Sequence, residues 1–138
     1  MATQEQILSI IKKIKTDKPT DIFKKILDMD SGVKFVLMLL YESETEVYAS
    51  TISEKMNISR ARVAVLLKKM QDKDLIVKTP SLSDARIEIV SFTEYGLDCA
   101  KKFREQSMSM INKVVDNFGY EKVNQFIDMA VNIKKILN

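Results

Sequence analysis

The chain contains no histidine, no tryptophan and a single cysteine among its 138 residues. One cysteine, Cys99, cannot close an internal disulfide, and without histidine the common zinc sites lack their usual ligands, so no metal is expected. The same absence removes the side chain that most often moves protons near neutral pH. Neither a glycine-rich phosphate loop nor a serine-centred elbow occurs in the sequence, so an enzyme is not expected. Glycine and proline are scarce, at three and two residues, and so few chain breakers predict a mostly helical fold. Long apolar runs are lacking too. The longest, Val33 to Tyr41, is interrupted by Lys34 and falls far short of the ~20 residues a bilayer requires. The first residues, Met1-Ala-Thr-Gln-Glu, carry no basic segment leading into an apolar stretch. A cytoplasmic protein without membrane or cofactor is the expectation.

What is present is a chain with 46% hydrophobic and 30% charged positions. At this length one domain can bury roughly two thirds of its extended surface and needs no covalent staple. The formal net charge of +3 permits an anionic partner without demanding one, so the placement of the charges matters more than their sum.

From Gln4 to Ile14 the residues Ile7, Leu8, Ile10, Ile11 and Ile14 recur at helical spacing, before Thr16-Asp17-Lys18-Pro19 interrupts them. A second short helix is predicted over Asp21 to Met29, with Ile22, Phe23, Ile26 and Leu27 on one face and a turn at Asp30-Ser31-Gly32. The stretch from Val33 to Leu40 is apolar almost all the way round, as expected of a helix enclosed by other elements. After Glu42-Ser43-Glu44-Thr45, a helix from Tyr48 to Met56 turns at Asn57-Ile58 into another that runs to about Lys73. The pattern is a helix–turn–helix. Ser59 is placed to cap the second helix. Val63, Leu66, Leu67 and Met70 follow its inward face, leaving Arg60, Arg62, Val65, Lys68, Lys69 and Lys73 elsewhere.

Leu75 to Thr79 and Arg86 to Phe92 are strand candidates separated by a polar turn, Pro80 to Ala85, and together predict a β-hairpin wing. Thr93 is a good cap for a helix reaching Phe118-Gly119, and Tyr120 to Leu137 forms a last one. The predicted fold class is mainly α with a small antiparallel β wing.

Three stretches in this order resemble the MarR family of bacterial transcription regulators. They are Ile52-Ser-Glu-Lys-Met56 with Ile58-Ser59-Arg60 and Val63, then Leu75-Ile76, then Asp84-Ala85-Arg86 followed by Val90-Ser91-Phe92-Thr93 and Gly96. The last is the most specific, because Asp-x-Arg, a strand and an apolar-Thr-x-x-Gly run form that family's wing-to-helix signature. The resemblance implies one domain over 1–138, with a winged-helix DNA-binding core at about 33–93 and dimerisation helices at about 3–29 and 93–137. It also implies a sequence-specific regulator of double-stranded DNA, a homodimeric repressor of a pseudo-palindromic operator modulated by a small aromatic ligand. Arg60 and Arg62 would lie near base edges or flanking phosphates, and Ser59, Val65, Lys69 and Lys78 complete the interface. Arg86 would enter a neighbouring minor groove, oriented by Asp84 through a carboxylate–guanidinium pair. The same Asp84–Arg86 pair would also hold the hairpin together.

The sequence departs from the family pattern at several points. Arg62 and Ala64 stand where small hydroxylated residues are frequent, Val65 where arginine is common, and Asp74 where glycine usually follows the recognition helix. Base assignments therefore do not transfer from relatives. The apolar sets Ile7, Ile10, Ile11 and Ile14, Met110, Val114 and Val115, and Phe126, Ile127 and Val131 exceed what one small domain readily covers, and favour an obligate homodimer. Met29, Phe35, Met38 and Tyr41 are candidates to line a ligand cleft or to serve as core filler, and Cys99 reads as structural. A different class of function remains open: a helical protein-interaction module that keeps the fold without specific DNA binding. For that role Arg60, Arg62 and Arg86 need not be exposed on one surface.

Overall fold

Thr3 opens the first helix through a reciprocal cap, its hydroxyl accepting from the Gln6 amide at 3.2 Å while the Gln6 carboxamide oxygen accepts from the Thr3 amide at 2.9 Å. In the computed structural model, which describes residues 1–19, 21–22 and 32–138, this helix is α1 (Gln4–Asp17), closed by Lys18 in the left-handed region. None of its residues is buried. The chain divides into two compact units, Met1–Ser31 and Gly32–Asn138, and α1 belongs to the first. Of the helix predicted over 21–29, Asp21 and Ile22 are helical, whereas the rest, with Phe23, Ile26, Leu27 and Met29, and most of the turn after it lie outside the described residues.

The second unit runs α2 (Gly32–Glu42), β1 (Val47–Tyr48), α3 (Ala49–Met56), α4 (Arg60–Asp72), β2 (Ile76–Pro80), β3 (Glu88–Phe92), α5 (Glu94–Phe118) and α6 (Tyr120–Leu137). Its core draws one or more side chains from nearly every element: Val36 and Leu37 from α2, Val47, Ile52 from α3, Val63, Leu67 and Met70 from α4, Leu75, Ile76, Val90 and Ala100. Each fully buried aliphatic side chain here contributes about 1.5–3 kcal/mol. The enclosure expected of α2 is met along one edge, since Val33, Phe35 and Met38 to Tyr41 are half-buried.

The sheet has the order β1-β3-β2, antiparallel throughout. The hairpin was expected from sequence, but β1 was not. Tyr48, read as helical, is extended and pairs with Ile89, so α3 starts one residue later. Two residues are too few to display a period-two pattern, and this strand exists only through its partner. Strand β3 starts at Glu88 rather than Arg86, because the turn closes with the Ile87 amide donating to the Asp84 carbonyl at 3.0 Å. Pro80 ends β2, an edge strand, where its missing donor costs no ladder bond.

One junction locks the wing to the helices. Asp74 takes a left-handed conformation, φ 58°, which a short polar side chain tolerates. The Thr93 hydroxyl donates to the Asp74 carbonyl at 2.5 Å and accepts from the Gly96 amide at 2.9 Å, capping α5. Gly96 packs so closely here that a Cβ would sit 1.8 Å from the Leu75 carbonyl oxygen. The Thr-x-x-Gly run is thus explained by contact: threonine ties the two ends of the wing and glycine lets α5 start against the backbone. Further along, α5 lies against α2, with Lys34 over the Phe103 ring at 5.0 Å and the Arg104 guanidinium 5.4 Å from the Tyr41 ring centre.

Candidate nucleic-acid interface

The turn between α3 and α4 is built by local chemistry. Asn57 adopts φ 53°, and the Ser53 hydroxyl donates to the Ile58 carbonyl at 2.6 Å. Ser59 then caps α4, its hydroxyl accepting from the Arg62 amide at 3.2 Å. With Val63, Leu67 and Met70 buried, the rest of α4 turns outward: Arg60, Arg62, Val65, Lys68 and Lys69 are all exposed. Among the described residues no ion pair engages Arg60, Arg62 or Lys69, whereas Lys68 lies 3.4 Å from Asp72.

The wing is organised around Asp84. Its carboxylate accepts from the Arg86 amide at 3.0 Å and, bidentately, from one edge of the guanidinium, Nε at 3.1 Å and Nη2 at 3.3 Å. That pairing, chiefly the guanidinium contact, holds the Asp84 carboxyl below its ordinary value. The Arg86 side chain is nonetheless 90% exposed, so the carboxylate fixes its direction without withdrawing it from solvent. Behind it the Ser81 amide donates to the Ile87 carbonyl at 2.8 Å, and the Ser81 and Ser83 hydroxyls lie 2.9 Å apart.

Arg60 and Arg86 come together in an open cleft of about 630 Å³ between the wing, the start of α4 and the start of α3. Ser50, Ser81 and Ser83 line it too, and Glu88 is the one acid among its described lining residues. Of the residues predicted from sequence, Arg62, Val65 and Lys69 lie on the exposed side of α4 outside that lining. Lys78 also lies outside it, its side chain 23% exposed and its ammonium 3.8 Å from Glu88. Sequence reasoning missed the serines and Ser50 in particular. Ser81 and Ser83 carried a signal, alternate hydroxyls in the wing turn, whereas Ser50 reaches the cleft only because β1 draws the start of α3 against β3.

The MarR family model matches residues 27–87, the segment containing α2, the helix–turn–helix and most of the wing. The transcriptional regulator ZitR of Lactococcus lactis is 30% identical over 107 residues, a match spanning 73% of this chain and 72% of ZitR. The chain belongs to the MarR family. It is a transcription regulator of the winged-helix kind. The match to the uncharacterized HTH-type transcriptional regulator YdgJ of Bacillus subtilis, 24% identical over 103 residues, spans 75% of this chain but 62% of YdgJ. A mutant of S. aureus MepR shares the fold over 99% of this chain and 100% of its own, with TM-score 0.63 and 18% identity. For this MarR-family chain, no described helix is long and apolar enough to cross a membrane.

Cys99 is half-buried against the core. Its hydrogen bond with Tyr95 is the leading cause that raises the Tyr95 phenol above its ordinary value.

Proposed function

We propose that this MarR-family chain is a cytoplasmic, homodimeric repressor that binds a pseudo-palindromic operator in double-stranded DNA. The observation that carries the reading is the cleft shared by Arg60 and Arg86. A module that bound only protein would not need the recognition helix and the wing to present cations on one surface. Helix α4 enters the major groove, with Arg62 and Lys69 on its exposed side. Arg86, aimed by Asp84, reaches the adjacent minor groove, and Arg60 grips the backbone between them with the serine hydroxyls beside it. Ser59 acts through the cap that fixes the start of α4. Lys78, committed to Glu88, adds long-range positive potential more than a direct contact.

One recognition helix reads too few base pairs for useful specificity, and two-fold pairing supplies a second about 34 Å away along the duplex. The exposed apolar residues of α6 support that pairing: Ile127 at 43%, Val131 at 46%, Ile136 at 81% and Leu137 at 79%. By contrast Met110, Val114 and Val115 are half-buried within the chain. Release by a small aromatic ligand is part of the same proposal. Phe35, Met38 and Tyr41 remain its candidate contacts, all half-buried on α2.

The test is selection from random-sequence duplexes at a stated moderate salt, since affinity for DNA has no meaning without it. An inverted repeat with half-sites about one helical turn apart is the expected result. A folded dimer that enriches nothing would instead favour the protein-interaction module.

A further inference from the structure

Val65 is the anomaly of the recognition helix. It is 72% exposed, although a β-branched residue is a poor choice for a solvent-facing helix position on propensity alone. At about 100° per residue, Val65 and the exposed Ala61 one turn before it fall opposite the buried Val63, Leu67 and Met70. They form a narrow apolar strip along the centre of the outward face. Arg62 and Lys69 lie on one side of that strip and Lys68 on the other. Ala61 leaves room for a neighbouring surface to approach Val65 closely. The fit is to a partner that is anionic at its margins and carries a small apolar projection between them.

We propose that Val65 reads the 5-methyl group of thymine in the major groove. This rests on the DNA-binding reading above and names the chemistry by which one base in each half-site is chosen. Among the four bases thymine alone projects a methyl into that groove, between phosphates spaced to meet flanking cations. Valine offers neither donor nor acceptor, so a cytosine, adenine or guanine edge placed against it loses hydrogen bonds to water and gains nothing in return. Arg62 and Lys69 supply the backbone attraction that presses the strip into the groove, and Lys68, paired with Asp72, marks where that attraction ends.

The experiment replaces thymines of the selected duplex by deoxyuridine, one symmetric pair at a time, which removes this methyl and leaves every hydrogen-bonding atom in place. At one position in each half-site the wild-type chain is expected to lose affinity about fourfold per methyl, or about fifteenfold for the symmetric pair. Val65→Ala, a change that favours the helix and opens no core, is expected to select half-sites of the same spacing with the preference for thymine at that position relaxed, and to bind thymine and uracil duplexes nearly equally there. If no thymine in the selected site responds, or if Val65→Ala responds as the wild type does, Val65 has no such role while DNA binding stands. If selection yields no site at all, both readings fall.

Discussion

The first two thirds of the Gly32–Asn138 unit and its last third solve the burial problem differently. Up to Ala100 each element contributes to a shared core, and Val36, Ile52, Val63, Met70 and Ala100 are completely excluded from solvent. Beyond Ala100 no residue is buried. Helix α6 is also rich in apolar residues, yet Ile127, Met129, Val131 and Ile133, spread around the helix, are all at least 43% exposed. The winged helix buries its apolar face within one chain, whereas the apolar residues of α6 stay exposed in it. Apolar patterning is present in both regions, so amphipathicity identifies a face to be covered without saying which chain covers it.

The largest expected effect comes from breaking the second region. Ile127→Asp places a carboxylate in the apolar face of α6 and costs about 2 kcal/mol per copy. For a symmetric pair that weakens self-association about a thousandfold. Sedimentation should find a monomer whose helix content is unchanged, because Ile127 is 43% exposed in the single chain. A dimer of wild-type strength would remove α6 from the interface.

Next in size are two glycines, Gly96 at the start of α5 and Gly119 between α5 and α6. Gly96→Ala forces a methyl to within 1.8 Å of the Leu75 carbonyl oxygen, and backbone on both sides leaves little to yield. A loss of about 3 kcal/mol is expected in denaturant unfolding. At Gly119 an added Cβ meets nothing within 4 Å, and the cost arises from φ 84° alone. Gly119→Ala should therefore cost about 1 kcal/mol. Equal losses would mean that the junction at Gly96 is not a packing constraint.

How much of this was legible in the sequence follows the same division. Helices α1, α4, α5 and α6 were readable because Thr93 and Ser59 are caps and the apolar residues keep a helical period, and the hairpin because β-rich runs flank a polar turn. The Asp84–Arg86 pair was readable because two residues apart across a turn is a local relation. Strand β1 was not, since two residues carry no period and their pairing with β3 spans some forty positions. For the same reason the cleft was invisible: Ser50, Arg60 and Arg86 meet only through long-range strand pairing. Lys78 looked like an available cation because Glu88, its diagonal neighbour on the next strand, is ten positions away.

A smaller effect is expected at the wing. Arg86→Ala should lower specific affinity about tenfold, with unfolding and self-association unchanged because the side chain is 90% exposed. Unaltered affinity would take the wing out of DNA recognition and leave the pair with Asp84 as a hairpin clasp alone.

The smallest effect sharpens that point, since it asks what Asp84 does when DNA is absent. Its carboxyl is held below the ordinary 3.8 by the Arg86 guanidinium and then by the Arg86 amide. A depressed folded-state value means that the clasp is fully present above the unfolded value and is lost as pH falls through the folded one. Wing order should therefore persist through pH 4 and yield only in stronger acid. A carboxyl-carbon NMR titration should find Asp84 below 3.8 in the wild type and nearer 3.8 in Arg86→Ala, the amide bond keeping a residual shift. If Asp84 titrates identically in both chains, the guanidinium is not what holds it, and the carboxylate does not aim Arg86.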